Sequence, residues 1–597
     1  MTPPYETYEH DVLVVGAGGA GLRAAIEALA QGASVGVVCK SLLGKAHTVM
    51  AEGGIAAAMA NVDRGDDWRT HFRDTMKGGK HLNNWRMAQI HAQESPDRVR
   101  ELEQWGALFD RTADGDILQR AFGGHTFKRL CHVGDRTGLE MIRTLQDRGV
   151  QMGFHVYMEC AVTRLLKDGD RICGAVAYWR EQGRFVVFRA KSVVLATGGI
   201  GKAWRITSNS WEYTGDGMAL AYDAGAELLD MEFVQFHPTG MVWPPSVRGI
   251  LVTEGVRGDG GVLRNAEGRR FMFDYIPEMF RSETAETEDE ADRWYDDKSV
   301  RRTPDLLPRD EVARAINSEV KEGRGSPHGG VFLDIASRKP AEYIKRRLPS
   351  MYHQFKELAD VDITREPMEV GPTCHYVMGG VRVDPDTQAA TVPGLFAAGE
   401  AAGGMHGANR LGGNSLSDLL VFGLRAGRYA AEHALGAGEP PPVDPAQVEA
   451  AEREALAPFE RDGGENPYTV QQDLQDCMQE LVGIIRTEDE LKRALERIAA
   501  LKERAARVSV EGHRQYNPGW HLALDLRSLL TVSECVTLAA LERRESRGGH
   551  TRDDYPKPDP ELGKVKVVVR RRDGELTVAR EALDQMPDDL RQLFEER

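Results

Sequence analysis

The stretch Asp11-Val12-Leu13-Val14-Val15-Gly16-Ala17-Gly18-Gly19-Ala20-Gly21 decides the fold of this chain. After the aspartate it opens as a short apolar run of strand length, and Leu22 to Ala30 continues as an alanine-rich helical segment. Between them stands Gly-x-Gly-x-x-Gly, from Gly16 through Gly18 to Gly21, with Gly19 inside the turn. Glycines there permit a tight turn and close backbone approach, while the helix that follows aims free N–H groups at a pyrophosphate. The glycine pattern says little by itself. Strand, turn and helix in register read as the βαβ opening of a dinucleotide-binding unit.

Working outward, Ser34 to Cys39 supplies the second strand. Lys40 then stands where a simple NAD site carries an acidic residue, which turns the reading away from NAD. Two later apolar runs, Val193-Val194-Leu195-Ala196-Thr197-Gly198-Gly199 and Gly394-Leu395-Phe396-Ala397-Ala398-Gly399-Glu400, are candidate returns to the same sheet. From about 245 to 360 this punctuation fades, as expected of an inserted second domain, and Glu283 to Arg302 reads as a solvated charged loop within it. After Arg428 the pattern turns helical, through Val448 to Phe459 and Glu488 to Val508. Lys564 to Arg571 alternates into a strand and Gly574 to Val578 follows after a turn, an expected edge hairpin.

A chain of 597 residues exceeds what one hydrophobic core supports, so several domains are expected. The formal charge of −16 is scattered rather than gathered in a tail, which argues against nucleic acid as a partner. Seven cysteines stand at 39, 131, 160, 173, 374, 477 and 535 with no Cys-x-x-Cys pair. Neither a disulfide framework nor an internal iron-sulfur centre is indicated, no metal site is expected, and the compartment reads as reducing. Met1 to Glu6 lacks a basic region and an apolar signal core, and no run reaches the 18 apolar residues of a membrane span, so any membrane contact is expected to be indirect.

Further motifs follow in order: His47-Thr48-Val49 before Glu52-Gly53-Gly54, Gln235-Phe236-His237-Pro238-Thr239-Gly240, Leu251-Val252-Thr253-Glu254-Gly255, Pro308-Arg309-Asp310, Pro372-Thr373-Cys374-His375-Tyr376, and His406 through Arg410 to Leu416. With these motifs the chain resembles the flavoprotein subunit of the succinate dehydrogenase and fumarate reductase family, over nearly its whole length up to about Pro556.

The resemblance implies an α/β fold: an FAD-binding Rossmann-like domain in two parts, 1–244 and 361–430, with an inserted α+β capping domain at 245–360. A helical domain at 431–550 and a small C-terminal strand region at 551–597 complete it. A lone histidine is ordinarily a surface or satisfied core residue. Here His47 matches the residue that carries FAD covalently in this family, where a tethered imidazole raises the flavin's appetite for electrons. Thr48, Gly53 and Gly54 would flank the flavin ring, and Gly16, Gly18 and Gly21 the adenosine end. Asp216 in Thr214-Gly215-Asp216-Gly217, Glu400, Ser415 and Leu416 are implied as further cofactor contacts.

The implied substrates, succinate and fumarate, carry a carboxylate at each end, and a guanidinium fork suits one of them. Arg410 is the leading clamp, assisted by His375, while His237 and Thr253 take the other carboxylate and Phe122 crowds the middle. Arg309 matches the family's proton-transfer residue, with Glu254 and Arg257 as its relay. Arginine is a poor base, and residue type alone would not select it.

The implied activity is succinate oxidation by hydride transfer to covalent FAD, with electrons passing through an iron-sulfur subunit to quinone at membrane-anchor subunits. The chain would sit peripherally on the cytoplasmic face of the cell membrane. A quinol:fumarate reductase running in reverse is the alternative, since Glu52 does not fix direction; L-aspartate oxidase fits less well because of His47. The charged segment from about Pro277 to Leu306 departs from a compact family member. Glu545-Ser546-Arg547-Gly548-Gly549-His550 also resembles the family, as a partner contact, a structural cap or an FAD-side contact.

Overall fold

The computed structural model describes residues 5–297, 299–572 and 575–595. At the centre of the main sheet lies the strand Glu6–Val15, parallel to Val35–Val38 on one side and to Arg184–Leu195 on the other. Leu13 and Val15 pack into one core cluster and Val12 and Val14 into another, so both faces of the sheet are covered. That double burial is why the stretch reads as a continuous apolar run rather than an alternation. His155–Tyr157 extends the sheet past Val35–Val38, and Leu395–Ala397 returns in parallel beside Val193 to Leu195. Both expected returns therefore join the sheet.

Gly16 takes a φ of +113°, and a Cβ on it would fall 2.2 Å from the Ala196 carbonyl oxygen. Only hydrogen fits there, so the turn drops the helix Gly19–Ala30 directly onto the strand ends. The long helix Asn414–Gly436 lies along that helix, with Gly423 and Gly427 against the Ala20 and Ala24 carbonyls. This packing seats the His406 to Leu416 motif, which runs into the helix, beside the dinucleotide turn.

A second sheet orders Val234–Met241, Met368–Val377, Val331–Asp334 and Val262–Arg264, all antiparallel. Its first pair sets Gln235 opposite Tyr376 and His237 opposite Thr373. The helix Arg309–Lys321 packs across this sheet and presents its first residue, Arg309, toward the Val234–Met241 strand.

Two expectations are corrected. The segment Glu283 to Arg302 is solvated only in part: Thr284, Ala285, Ala291 and Trp294 are buried, and a short helix, Glu288–Arg293, is capped by Thr287. Most of its acids, Glu283, Glu286, Glu288, Asp289, Asp296 and Asp297, are exposed, but Asp292 Oδ1 takes Nη1 of the buried Arg270 at 2.9 Å. Lys298 within it lies outside the described residues. The C-terminal hairpin is not all edge, since Val565–Arg572 pairs with both Leu228–Leu229 and Glu575–Ala582, burying Val567, Val568 and Val569. The predicted turn at Gly574 lies outside the described residues.

The predicted helices appear as Pro445–Leu456 and Glu488–Ala505. Pro467–Leu481 and Pro518–Glu542 join them without having been predicted. Each opens on Asn-Pro, which is equally a turn signal, and Pro518–Glu542 buries residues on most faces, which erases its period. The Glu545 to His550 motif is an internal strut: Glu545 and His550 are buried, Gly549 N–H donates to Ala408 O at 2.8 Å, and Arg314 Nη1 donates to Gly548 O at 3.2 Å.

Candidate active site

One continuous cavity of about 500 Å³ runs through the molecule beside the glycine turn. Of the residues singled out from sequence, Gly16, Gly18, Gly19, His47, Thr48, Gly53, Gly54, Asp216, Glu400, Ser415 and Leu416 line it. So do Phe122, His237, Thr253, Glu254, Arg309, His375 and Arg410. Gly21 and Arg257 do not. A Cβ on Gly21 would meet Gly16 O at 1.9 Å, so that glycine closes the turn; Arg257 is fully buried, 4.0 Å from Glu254 and donating to Asp305 O at 2.6 Å.

At the dinucleotide turn, Gly19 N–H donates to Thr48 Oγ1 at 3.3 Å, tying the turn to the His47 segment. Lys40, set where a simple NAD site carries an acid, reaches Asp216 at 2.9 Å and Asp525 at 2.6 Å, so the Asp216 carboxylate is already paired. His47 Nδ1 faces Ser210 N–H at 3.3 Å and Nε2 faces Asn209 Nδ2 at 3.2 Å. Burial, with Lys202 nearby, pulls its pKa down to about 4, so the imidazole is neutral at pH 7. Burial pushes the Glu400 carboxyl up to about 8, which leaves it protonated at neutral pH; its Oε1 accepts Val377 N–H at 3.0 Å.

Arg309 donates Nε–H to Glu254 Oε2 at 2.9 Å, and Glu254 Oε1 accepts Gly123 N–H at 2.7 Å. Burial alone would raise Glu254, but Arg309, Arg257 and the Gly123 N–H hold it at about 2. Arg410 donates Nη1–H to Ser415 Oγ at 2.8 Å and stands 4.4 Å over the Tyr376 ring. Burial, reinforced by the charge of Arg309, lowers it to about 9. His237 and His375 stand edge to face at 5.1 Å, both held well below the usual histidine range, first by burial and then by neighbouring charge, and both neutral. The Phe122 ring is wedged between backbones: a Cβ would meet it at 2.9 Å from Gly53 and at 2.6 Å from Gly412.

Gln235 stands in a motif quoted from the sequence but has no role assigned there. Its Oε1 accepts Arg309 Nη1 at 3.3 Å and Arg410 Nη2 at 3.0 Å, while its Nε2 donates to Asn409 Oδ1 at 2.8 Å and Arg410 O at 2.7 Å. The available signal was its place two residues before His237, where strand alternation puts both on one face.

The cavity fits a large polar ligand. Glu52 Oε2, Asn209 Oδ1, Ser210 Oγ, Glu212 Oε2 and Arg410 Nε, all on lining residues, are buried with no hydrogen-bond partner among the described residues. Each such atom costs about 1–3 kcal/mol of desolvation unless a ligand completes it.

Sheet, turn and cavity define an α/β protein of the dinucleotide-binding class, with Arg309 and Arg410 lining the same cavity as the glycine turn. A family model described as FAD binding domain matches residues 11–416, and one described as Fumarate reductase flavoprotein C-term matches residues 471–590. Among solved structures, Mycobacterium smegmatis Sdh1 in complex with UQ1 is 61% identical at a TM-score of 0.87, covering 99% of this chain and 97% of that one. A fumarate reductase (CoM/CoB) subunit from Methanothermobacter marburgensis is 43% identical over 95% of this chain and 98% of its own. The succinate dehydrogenase flavoprotein subunit of Coxiella burnetii is 38% identical over 95% of each. The chain belongs to the succinate dehydrogenase and fumarate reductase flavoprotein family and carries that family's FAD-binding domain.

Proposed function

We propose that this chain is the flavoprotein subunit of a succinate:quinone oxidoreductase, oxidising succinate to fumarate with FAD attached through His47. The observation that carries the reading is that Arg309 and Arg410, which line the same cavity as His47 and the glycine turn, share one acceptor, Gln235 Oε1. Bound FAD supplies the hydride acceptor. Gly16, Gly18, Gly19, Thr48, Gly53, Gly54, Asp216, Glu400 and Leu416 line the walls that would hold it. A protonated Glu400 suits a hydroxyl partner. Neutral His47 faces two N–H donors and can accept from only one of them. Substitution at the other nitrogen would replace the hydrogen that faces the second donor.

Arg410 and His375 hold one substrate carboxylate, and His237 and Thr253 the other, with the histidines acting as neutral donors. Phe122, fixed by Gly53 and Gly412, limits the space for the middle of the substrate and aligns it. Arg309 moves the proton. In fumarate reduction it donates one and is reloaded through Glu254, with Arg257 behind; in succinate oxidation the path runs backwards. Glu254, kept ionised, orients Arg309 through the 2.9 Å bond.

An iron-sulfur subunit is the proposed electron acceptor. All seven cysteines are buried and form no cluster capable of ligation among the described residues. No helix among the described residues is long and apolar enough to cross a membrane, so contact with membrane-anchor subunits and quinone, at the cytoplasmic face of the cell membrane, would run through that partner.

The test is turnover of the purified membrane complex with succinate and with fumarate, using quinones of high and low potential. Succinate-driven reduction of a high-potential quinone is expected to dominate; faster quinol-driven fumarate reduction would assign the reverse direction. Acid-precipitated chain should keep flavin fluorescence, and peptide mapping should place it on the His47 peptide. Free flavin in the supernatant would reject the covalent link.

A further inference from the structure

We propose that Arg302, at the end of the charged segment, is a positioning residue for proton transfer that acts on Glu254 and Phe122 through the single peptide group joining Phe122 to Gly123. Arg302 Nη2 donates to the Phe122 carbonyl oxygen at 2.9 Å. The N–H of that same peptide, on Gly123, donates to Glu254 Oε1 at 2.7 Å. A guanidinium at the oxygen end and a carboxylate at the N–H end polarise the peptide in the same sense, and each strengthens the other's hydrogen bond. The other Glu254 oxygen takes Arg309 Nε–H at 2.9 Å, so Arg302 is linked to Arg309 by an unbroken run of charge-assisted bonds.

The linkage is geometric as well as electrostatic. The peptide that Arg302 grips carries the Phe122 ring, and that ring has no slack: a Cβ on Gly412 would lie 2.6 Å from Phe122 Cδ1 and 3.1 Å from Arg309 Nη2. A shift of the Phe122 carbonyl moves the ring and the Glu254 partner together. Arg302 is itself anchored. Its backbone exchanges hydrogen bonds with the far side of the segment, Arg302 N–H to Glu283 O at 3.0 Å and Ala285 N–H to Arg302 O at 2.7 Å, and its guanidinium lies 5.4 Å over the Trp294 ring. The segment's second grip falls on the same relay, because Tyr295 Oη donates to Arg257 O at 2.9 Å. The segment thus braces the relay rather than merely covering it.

The inference rests on the proposed role of Arg309 and is tested in the purified complex with Arg302→Gln and Arg302→Lys. The readouts are succinate turnover, its solvent deuterium isotope effect, and spectral titration with malonate, a dicarboxylate that has no CH2–CH2 unit to oxidise. Loss of one hydrogen bond from a charged donor, about 1.5–3 kcal/mol, corresponds to a fall in kcat of about 10- to 150-fold for Arg302→Gln. A raised isotope effect and malonate affinity close to wild type should accompany that fall, with Arg302→Lys recovering much of the rate. Wild-type kcat and isotope effect in both variants would overturn the proposal. Parallel loss of flavin and malonate binding in both variants, at an unchanged isotope effect, would also overturn it by reducing Arg302 to a support of the fold. If Arg309→Lys turned over normally, the proton-transfer reading itself would fail; if Arg309→Lys were impaired while the Arg302 variants behaved as wild type, only the present inference would.

Discussion

Gln235 accepts Arg410 Nη2–H on its Oε1 at 3.0 Å and returns a bond from its Nε2 to the Arg410 carbonyl at 2.7 Å, so one amide holds both ends of that arginine. The same Oε1 faces Arg309, and the amide is a neutral link between two guanidinium groups that would otherwise repel at short range.

Replacing Gln235 with Leu removes this shared acceptor. Loss of a single bond from a charged donor, about 1.5–3 kcal/mol, predicts a fall in succinate turnover of at least about tenfold. Gln235→Glu should act differently: a carboxylate between the arginines neutralises the pocket and weakens dicarboxylate binding. Malonate titration beside steady-state kinetics separates the two, and equal effects on both measurements in both variants would argue against the bridging role.

Arg309→Lys keeps the charge but loses the donor geometry toward Glu254 and Gln235. Turnover should collapse while malonate still binds. Arg410→Lys should weaken binding as well, because Ser415 and Gln235 then lose a fork that reaches both. Near-normal turnover in Arg309→Lys would reassign proton transfer; weak binding in that variant would recast it as a clamp.

Glu400 gives a pH signature. Its folded pKa, about 8, lies above the ordinary 4.5, so the fold favours the protonated carboxyl. The stability this contributes is complete below the ordinary value and declines as pH rises through about 8. The unfolding temperature should therefore fall between about pH 4.5 and pH 8, and Glu400→Gln should flatten that part of the profile. An unchanged slope in the variant would remove Glu400 as its source.

Gly427→Ala should loosen the dinucleotide domain, since the added Cβ would sit 2.2 Å from Ala24 O and neither helix backbone can yield locally. Overpacking of this kind costs about 1–3 kcal/mol, readable as a lowered unfolding midpoint. Gly436→Ala, at the far end of the same helix where a Cβ meets nothing within 4 Å, should leave it unchanged.

His47→Ser should retain non-covalent flavin, because the glycine turn is untouched, and should lose succinate oxidation more than fumarate reduction. Unchanged succinate turnover would sink the tuning role of the tether.

The sequence alone determined the glycine turn and four of the seven strands of the main sheet, because these rest on local steric demands and on runs of apolar residues, while the pocket residues were legible only through the family resemblance. Gly16 needs its glycine whatever the rest of the chain does, and Val12 to Val15 must be buried on both faces wherever they lie. Tertiary structure decided which charges meet. Nothing near Gln235 in the chain announces Arg309 or Arg410, and the charge density of Glu283 to Arg302 looks the same whether it faces water or buried arginines. A salt-bridge partner is set by long-range packing and by the cost of leaving a buried charge unpaired, and neither leaves a periodic mark in the chain. For that reason Arg302 reads in sequence as a solvated cation and stands in the structure against the backbone of Phe122.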